Sequence, residues 1–185
     1  DLACREALAD RQDAAIVGVA AAADKRDLAC RRVVIEADLA HWRAHPRFAG
    51  VRHLLQDDPD VAATLADPRF ARGVEAVQRQ GLAYEILVRG PAQLAEVPAF
   101  CARHDRHWLV LDHLGKPAIG GEGEADWQRH LRAVAAHPHV LCKASGLVTE
   151  VVAKALDADA LHRHLDAALE AFGADRLMFG SDWPV

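Results

Sequence analysis

"HWLVLDHLGKP" (107–117) is the stretch on which the reading of this chain turns. Trp108 to Leu111 are apolar without a break, a run suited to a parallel strand covered on at least one face by helices. The run ends in Asp112 and His113, and Gly115 and Pro117 then turn the chain. Four other β-like runs end the same way. "FAGVRHLL" (48–55) carries Arg52 and His53, and "GLAYEILV" (81–88) carries Tyr84 and Glu85. "HVLCKASG" (139–146) carries Lys143 and Ser145, and "RLMFGSDW" (176–183) carries Ser181 and Asp182. Each pair lies in the later half of its run or just past it. Two further runs, "AAIVGVA" (14–20) and "RVVIEADL" (32–39), stand upstream.

The segments between the runs read as helices. Residues 60–81 hold apolar positions at 61, 65, 70, 74 and 77 and stop at Gly81. Residues 126–138 end at Pro138. In 158–173, Leu161, Leu165, Ala168, Leu169 and Phe172 form one stripe, and Gly173 closes it. Strand–helix alternation at this spacing means βα units and a parallel sheet. An open doubly wound sheet and a closed (β/α)8 TIM barrel both satisfy it. No G-x-G-x-x-G or P-loop follows an early strand, which weakens a nucleotide-binding reading. Polar groups at the carboxyl ends of five strands would converge on one mouth in a barrel, so a barrel is expected, with one strand unaccounted for.

At 185 residues, with 51% hydrophobic and 26% charged residues, the chain suits one domain with a sizeable core, residues 1–185. The net charge of −5 and the absence of a Lys/Arg run argue against nucleic acid. No apolar stretch reaches the roughly 18 residues a membrane helix needs. Cys4, Cys30, Cys101 and Cys142 show no paired spacing and read as reduced thiols of a cytoplasmic protein. The expected partner is a small-molecule substrate, and a homo-oligomer stays open.

His113, at the end of its strand, could serve as acid, base, electrophile or metal ligand, or could simply bond a neighbouring loop. Asp182, after Gly180 and Ser181, could activate water, hold a metal or cap the next turn. His45, His104 and His107 stand before strands, away from the mouth, and read as surface or loop histidines. Trp183 reads as core or pocket wall.

"GVRHLLQDDPD", "VLDHLGKP", "LCKASGL" and "DRLMFGSDWPV", in this order, resemble the amidohydrolase superfamily. The resemblance is to its amidohydrolase-related branch of L-fuconolactonase-like and 2-pyrone-4,6-dicarboxylate lactonases, and runs from about residue 32 to the end. It implies a (β/α)8 barrel and hydrolysis of a lactone of a sugar acid or dicarboxylic acid. By the same resemblance Asp182 is the general base on the hydrolytic water and then returns the proton to the leaving oxygen. His113 polarises the scissile carbonyl or contributes to a metal site. Arg52 and His53 bind an acidic or hydroxylated part of the substrate, and Lys143 and Tyr84 are further substrate-binding candidates. The reading keeps two alternatives, a metal-dependent decarboxylase or amide hydrolase on the same barrel, and a non-catalytic binding barrel.

The family pattern opens with H-x-H on the first strand. His137 and His139 stand before a strand, and His162 and His164 stand in a helix, where i and i+2 are about 200° apart. Neither pair fits. The H-x-H strand is expected upstream of Asp1, and the helix after the last strand is expected beyond Val185, so the domain is read as truncated at both ends. No cofactor is obligatory on this reading. One divalent metal, zinc, is an option, held by His113 and Asp182 together with the upstream H-x-H.

Overall fold

The computed structural model describes residues 39, 41–152 and 157–182. The expected strands at 14–20 and 32–39 (Leu39 apart), Cys4, Cys30 and Trp183 lie outside the described residues. Five strands form one sheet: β1 (Gly50–His53), β2 (Ala83–Ile86), β3 (Leu109–Leu111), β4 (Val140–Ala144) and β5 (Leu177–Phe179). All pair in parallel, and each lies beside its neighbour in sequence. A doubly wound sheet reverses its strand order at a switch point. This sheet does not reverse, which is the winding of a (β/α)8 barrel.

Six helices cross between the strands: α1 (Val61–Ala66), α2 (Pro68–Arg79), α3 (Gly90–Leu94), α4 (Val97–Arg103), α5 (Glu124–Ala135) and α6 (Ala158–Phe172). The single helix expected over 60–81 is two. Pro68 has no N–H for the helical ladder and pushes the residue before it into extended backbone. Asp67 accordingly sits at φ −67°, ψ 121° and accepts from the Arg69 N–H at 2.7 Å, capping the second helix.

The buried face of α6 is also rotated from the expected stripe. Ala160, His164, Ala167, Ala168 and Phe172 are buried, whereas Leu169 is 50% exposed. Small alanines let the helix approach closely, and His164 packs its ring on Trp127 of α5, 4.7 Å between centroids. His104 corrects another expectation. It is buried rather than at the surface, its ring 4.5 Å from that of Phe100. Cys101 and Cys142 are buried free thiols.

Apolar residues divide between the two faces of the sheet. Tyr84, Ile86, Leu109, Leu111, Val140 and Cys142 face the helices in the main core, with Phe100, Trp127 and Leu131. Ala83, Val110 and Leu141, flanked by Trp108 and Met178, form a small cluster on the opposite, inner face. Strand residues alternate faces. Whatever shares parity with Ala83, Val110 and Leu141 therefore projects into the barrel interior.

Candidate active site at the carboxyl ends of the strands

Above the inner apolar cluster the same parity delivers four charges. Arg52 is in register with Glu85, two residues past Ala83, while Asp112 and Lys143 stand two residues past Val110 and Leu141. Glu85 and Asp112 are almost fully buried. Lys143 Nζ reaches Asp112 Oδ1 at 2.9 Å and pairs closely with Glu85 Oε1. Arg52 Nη1 donates to Asp112 Oδ2 at 3.1 Å and lies 3.8 Å from Glu85 Oε2. Two cations thus offset two carboxylates that could not both stay ionised there alone. Burial, and then the neighbouring Asp112, push the Glu85 carboxyl above its usual range, against the pull of Lys143 and Arg52. Burial works against the Arg52 charge, but Asp112, Glu85 and Asp182 more than restore it.

At the mouth, His113 and Asp182 face each other, Nε2 to Oδ2 at 3.8 Å. The second imidazole nitrogen, Nδ1, lies 2.9 Å from Ser145 Oγ. With the proton on Nε2, toward the carboxylate, Ser145 donates its O–H to Nδ1. Burial holds His113 below its ordinary range against Asp112 and Asp182, with Lys116 and Lys143 adding to the depression. Burial thus favours the neutral form of the imidazole. The Asp182 side chain keeps 33% of its surface exposed, enough to meet water.

The backbone is bent to make this meeting. His113, Leu114 and Lys116 have φ of 51°, 54° and 51°, and Asp182 has 59°. Non-glycine residues in this region cost about 1 kcal/mol or more each and persist where surrounding contacts hold them. Gly146, φ 63°, supplies the room: a Cβ there would lie 2.8 Å from Asp182 Oδ2 and 3.0 Å from His113 Nδ1.

Of the residues expected at the site, Arg52 and Lys143 join the inner charge cluster, and His113 and Asp182 join each other. Tyr84 and His53 join neither. Tyr84 is buried on the helix-facing side among Phe70 and Phe100, at 6.0 and 5.9 Å between ring centroids. His53 lies against Phe70 at 5.8 Å. Both have the outward parity. Glu85, Asp112 and Ser145, expected at strand ends but given no role there, are at the site, and so is Gly146, which the sequence did not mark. Spacing by two from the apolar inner residues was the signal for Glu85 and Asp112.

His113 and Asp182 offer one imidazole nitrogen and one carboxylate oxygen, donors that zinc accepts, but a catalytic zinc takes three protein ligands. Among the described residues no group of three or more His, Cys, Asp or Glu is gathered to hold a metal ion. The pair could hold one only with donors from outside the described residues.

Comparison with known proteins places this geometry in a family. The amidohydrolase family profile matches residues 2–185. An L-fucono-1,5-lactonase of Burkholderia multivorans is 47% identical over a gapped alignment of 194 positions, covering 100% of this chain and 61% of that protein. An L-fucono-1,5-lactonase of Burkholderia ambifaria is 38% identical, covering 80% of this chain and 50% of that protein. The chain thus spans between half and two thirds of the length of these relatives. A crystal structure of an amidohydrolase from Burkholderia multivorans with bound zinc superposes with a TM-score of 0.72 at 49% identity, covering 81% of this chain and 56% of that one. Sequential parallel strands, a His and an Asp meeting at their carboxyl ends, and a profile match along nearly the whole chain agree: this chain belongs to the amidohydrolase family.

Proposed function

We propose that the protein hydrolyses a lactone of a sugar acid, with Asp182 as general base. The observation that carries this is the convergence of Asp182 and His113 at 3.8 Å over a glycine-cleared space at the strand ends. The two L-fucono-1,5-lactonase relatives support a 1,5-lactone of a sugar acid as the substrate class. Asp182 accepts a proton from water, and the resulting hydroxide forms a C–O bond to the lactone carbonyl carbon. Charge grows on the carbonyl oxygen, where a donor aimed at it lowers the barrier. His113 Nε2–H is such a donor, held by Ser145. Collapse breaks the bond from the carbonyl carbon to the ring oxygen, and Asp182 returns its proton to that oxygen. The product is an open-chain hydroxy acid. Arg52 and Lys143, balanced by Glu85 and Asp112, present polar groups to the substrate's hydroxyls.

A bound zinc, as in the Burkholderia multivorans structure, would supply Lewis acidity to the same carbonyl oxygen, and His113 and Asp182 are the residues here that would help hold it. The test is a hydrolysis assay of full-length protein on L-fucono-1,5-lactone and other sugar-acid lactones. Asp182→Asn should lower turnover about a thousandfold, the range of a lost general base. Near-normal turnover of that variant refutes the assigned base, and an inert wild-type protein refutes the substrate class.

A further inference from the structure

His113, Leu114, Gly115 and Lys116 form four consecutive left-handed residues, φ 51°, 54°, 69° and 51°. L-residues leave such a turn for ordinary backbone unless their surroundings hold it. Here it is held from two sides. From the helix layer, the indole Nε1–H of Trp127 on α5 donates to the Leu114 carbonyl at 2.7 Å. Trp127 is 1% exposed and belongs to the outer core, on the far side of the sheet from the inner charge cluster. From the neighbouring loop, Lys116 Nζ pairs with Glu150 Oε1 at 3.2 Å, both side chains largely buried. A short parallel bridge between Ile119 and Val151 ties the same two loops, with Ile119 N–H donating to the Glu150 carbonyl at 3.0 Å. Within the turn, Lys116 N–H donates to the His113 carbonyl at 2.8 Å, and Gly90 N–H donates to the Lys116 carbonyl at 3.1 Å.

We propose that Trp127 and the Lys116–Glu150 pair are positioning residues, which clamp the left-handed turn so that His113 faces Asp182. The loop bearing Glu150 begins at Gly146, the residue that clears space for the pair. The Lys116–Glu150 pair therefore fixes both walls of the site relative to each other. Its kinetic consequence rests on the lactonase reading; the clamp itself does not.

Two measurements on full-length protein test it. Trp127→Phe keeps an aromatic ring and removes the donor; Lys116→Met and Glu150→Gln break the pair. Each should lower kcat about tenfold or more, the cost of a misplaced catalytic group, with KM within about twofold of wild type. Lys116→Arg should restore kcat. Each disrupting variant should also speed amide hydrogen exchange at position 116, relative to the intrinsic rate of the residue there, without speeding it in β4 or α5. Wild-type kcat in folded variants, or unchanged exchange at position 116 with only a lower melting temperature, overturns the proposal. If Trp127→Phe does not fold, the two loop variants decide. If wild-type protein opens no lactone, the substrate reading falls, and the exchange measurement alone upholds or overturns the clamp.

Discussion

At the residue scale, the site depends on a side chain that is missing. Gly146 stands where any Cβ would press on both His113 Nδ1 and Asp182 Oδ2, and its φ of 63° is one that other residues adopt at a cost. Gly146→Ala should therefore separate the pair. We expect turnover to fall about tenfold or more and stability to drop by about 1 kcal/mol or more, read by lactone hydrolysis and urea denaturation. Wild-type turnover in this variant would mean that the His113–Asp182 spacing does not limit the reaction. His113 and Asp182 were legible in the sequence because each ends an apolar run beside a turn. Ser145 was legible only as a strand-end polar residue and Gly146 not at all, because their part in the site comes from proximity to a loop more than 30 residues away in the chain.

At the element scale, α6 shows how a cap and a face divide the work. Asp157 accepts from the N–H groups of Asp159 and Ala160, both at 3.0 Å, meeting two of the donors a helix start leaves unpaired. Asp157→Ala should cost about 1 kcal/mol of stability in denaturant melts, with kcat and KM unchanged. A kinetic effect would show that α6 does more than cover the sheet. The boundaries of α6 were readable from its apolar periodicity and Gly173, but its buried face was not. The face is set by tertiary packing: His164 stacks on Trp127 of α5, and Ala160 and Ala167 are buried in the core. The break at Pro68 was readable in principle, since a proline both removes a donor and constrains Asp67.

At the scale of the molecule, burial of titratable groups makes stability depend on pH. Burial holds His104, His107 and His139 below their ordinary range. The unfolded chain therefore binds protons at these residues at higher pH than the folded chain does. Stability falls as pH drops below the ordinary histidine value of about 6.5. Glu85 acts in the opposite sense: its raised folded value adds stability at low pH, lost as pH rises through that value. With His113, held down in the same way, four histidines stand against one carboxyl, and the melting temperature should decline from pH 7 to pH 5. Glu85→Gln should make the decline steeper, and a flat profile in both proteins would contradict the burial of these groups. Among the described residues no helix is long and apolar enough to cross a membrane.

The strand ends, the parallel sheet and the family were all in the amino-acid order, because apolar runs, turn residues and short motifs are local and survive without knowledge of the partners. Which of two adjacent polar residues enters the barrel was not. Tyr84 and Glu85 read alike along the chain, yet one packs among Phe70 and Phe100 and the other pairs with Lys143. A shift of one residue in register exchanges the two faces of a strand, and register is settled by the neighbouring strands and the helices packed on them. The left-handed turn at His113 is likewise a product of distant contacts, Trp127 and Glu150, which hold a backbone that its own residues would not choose.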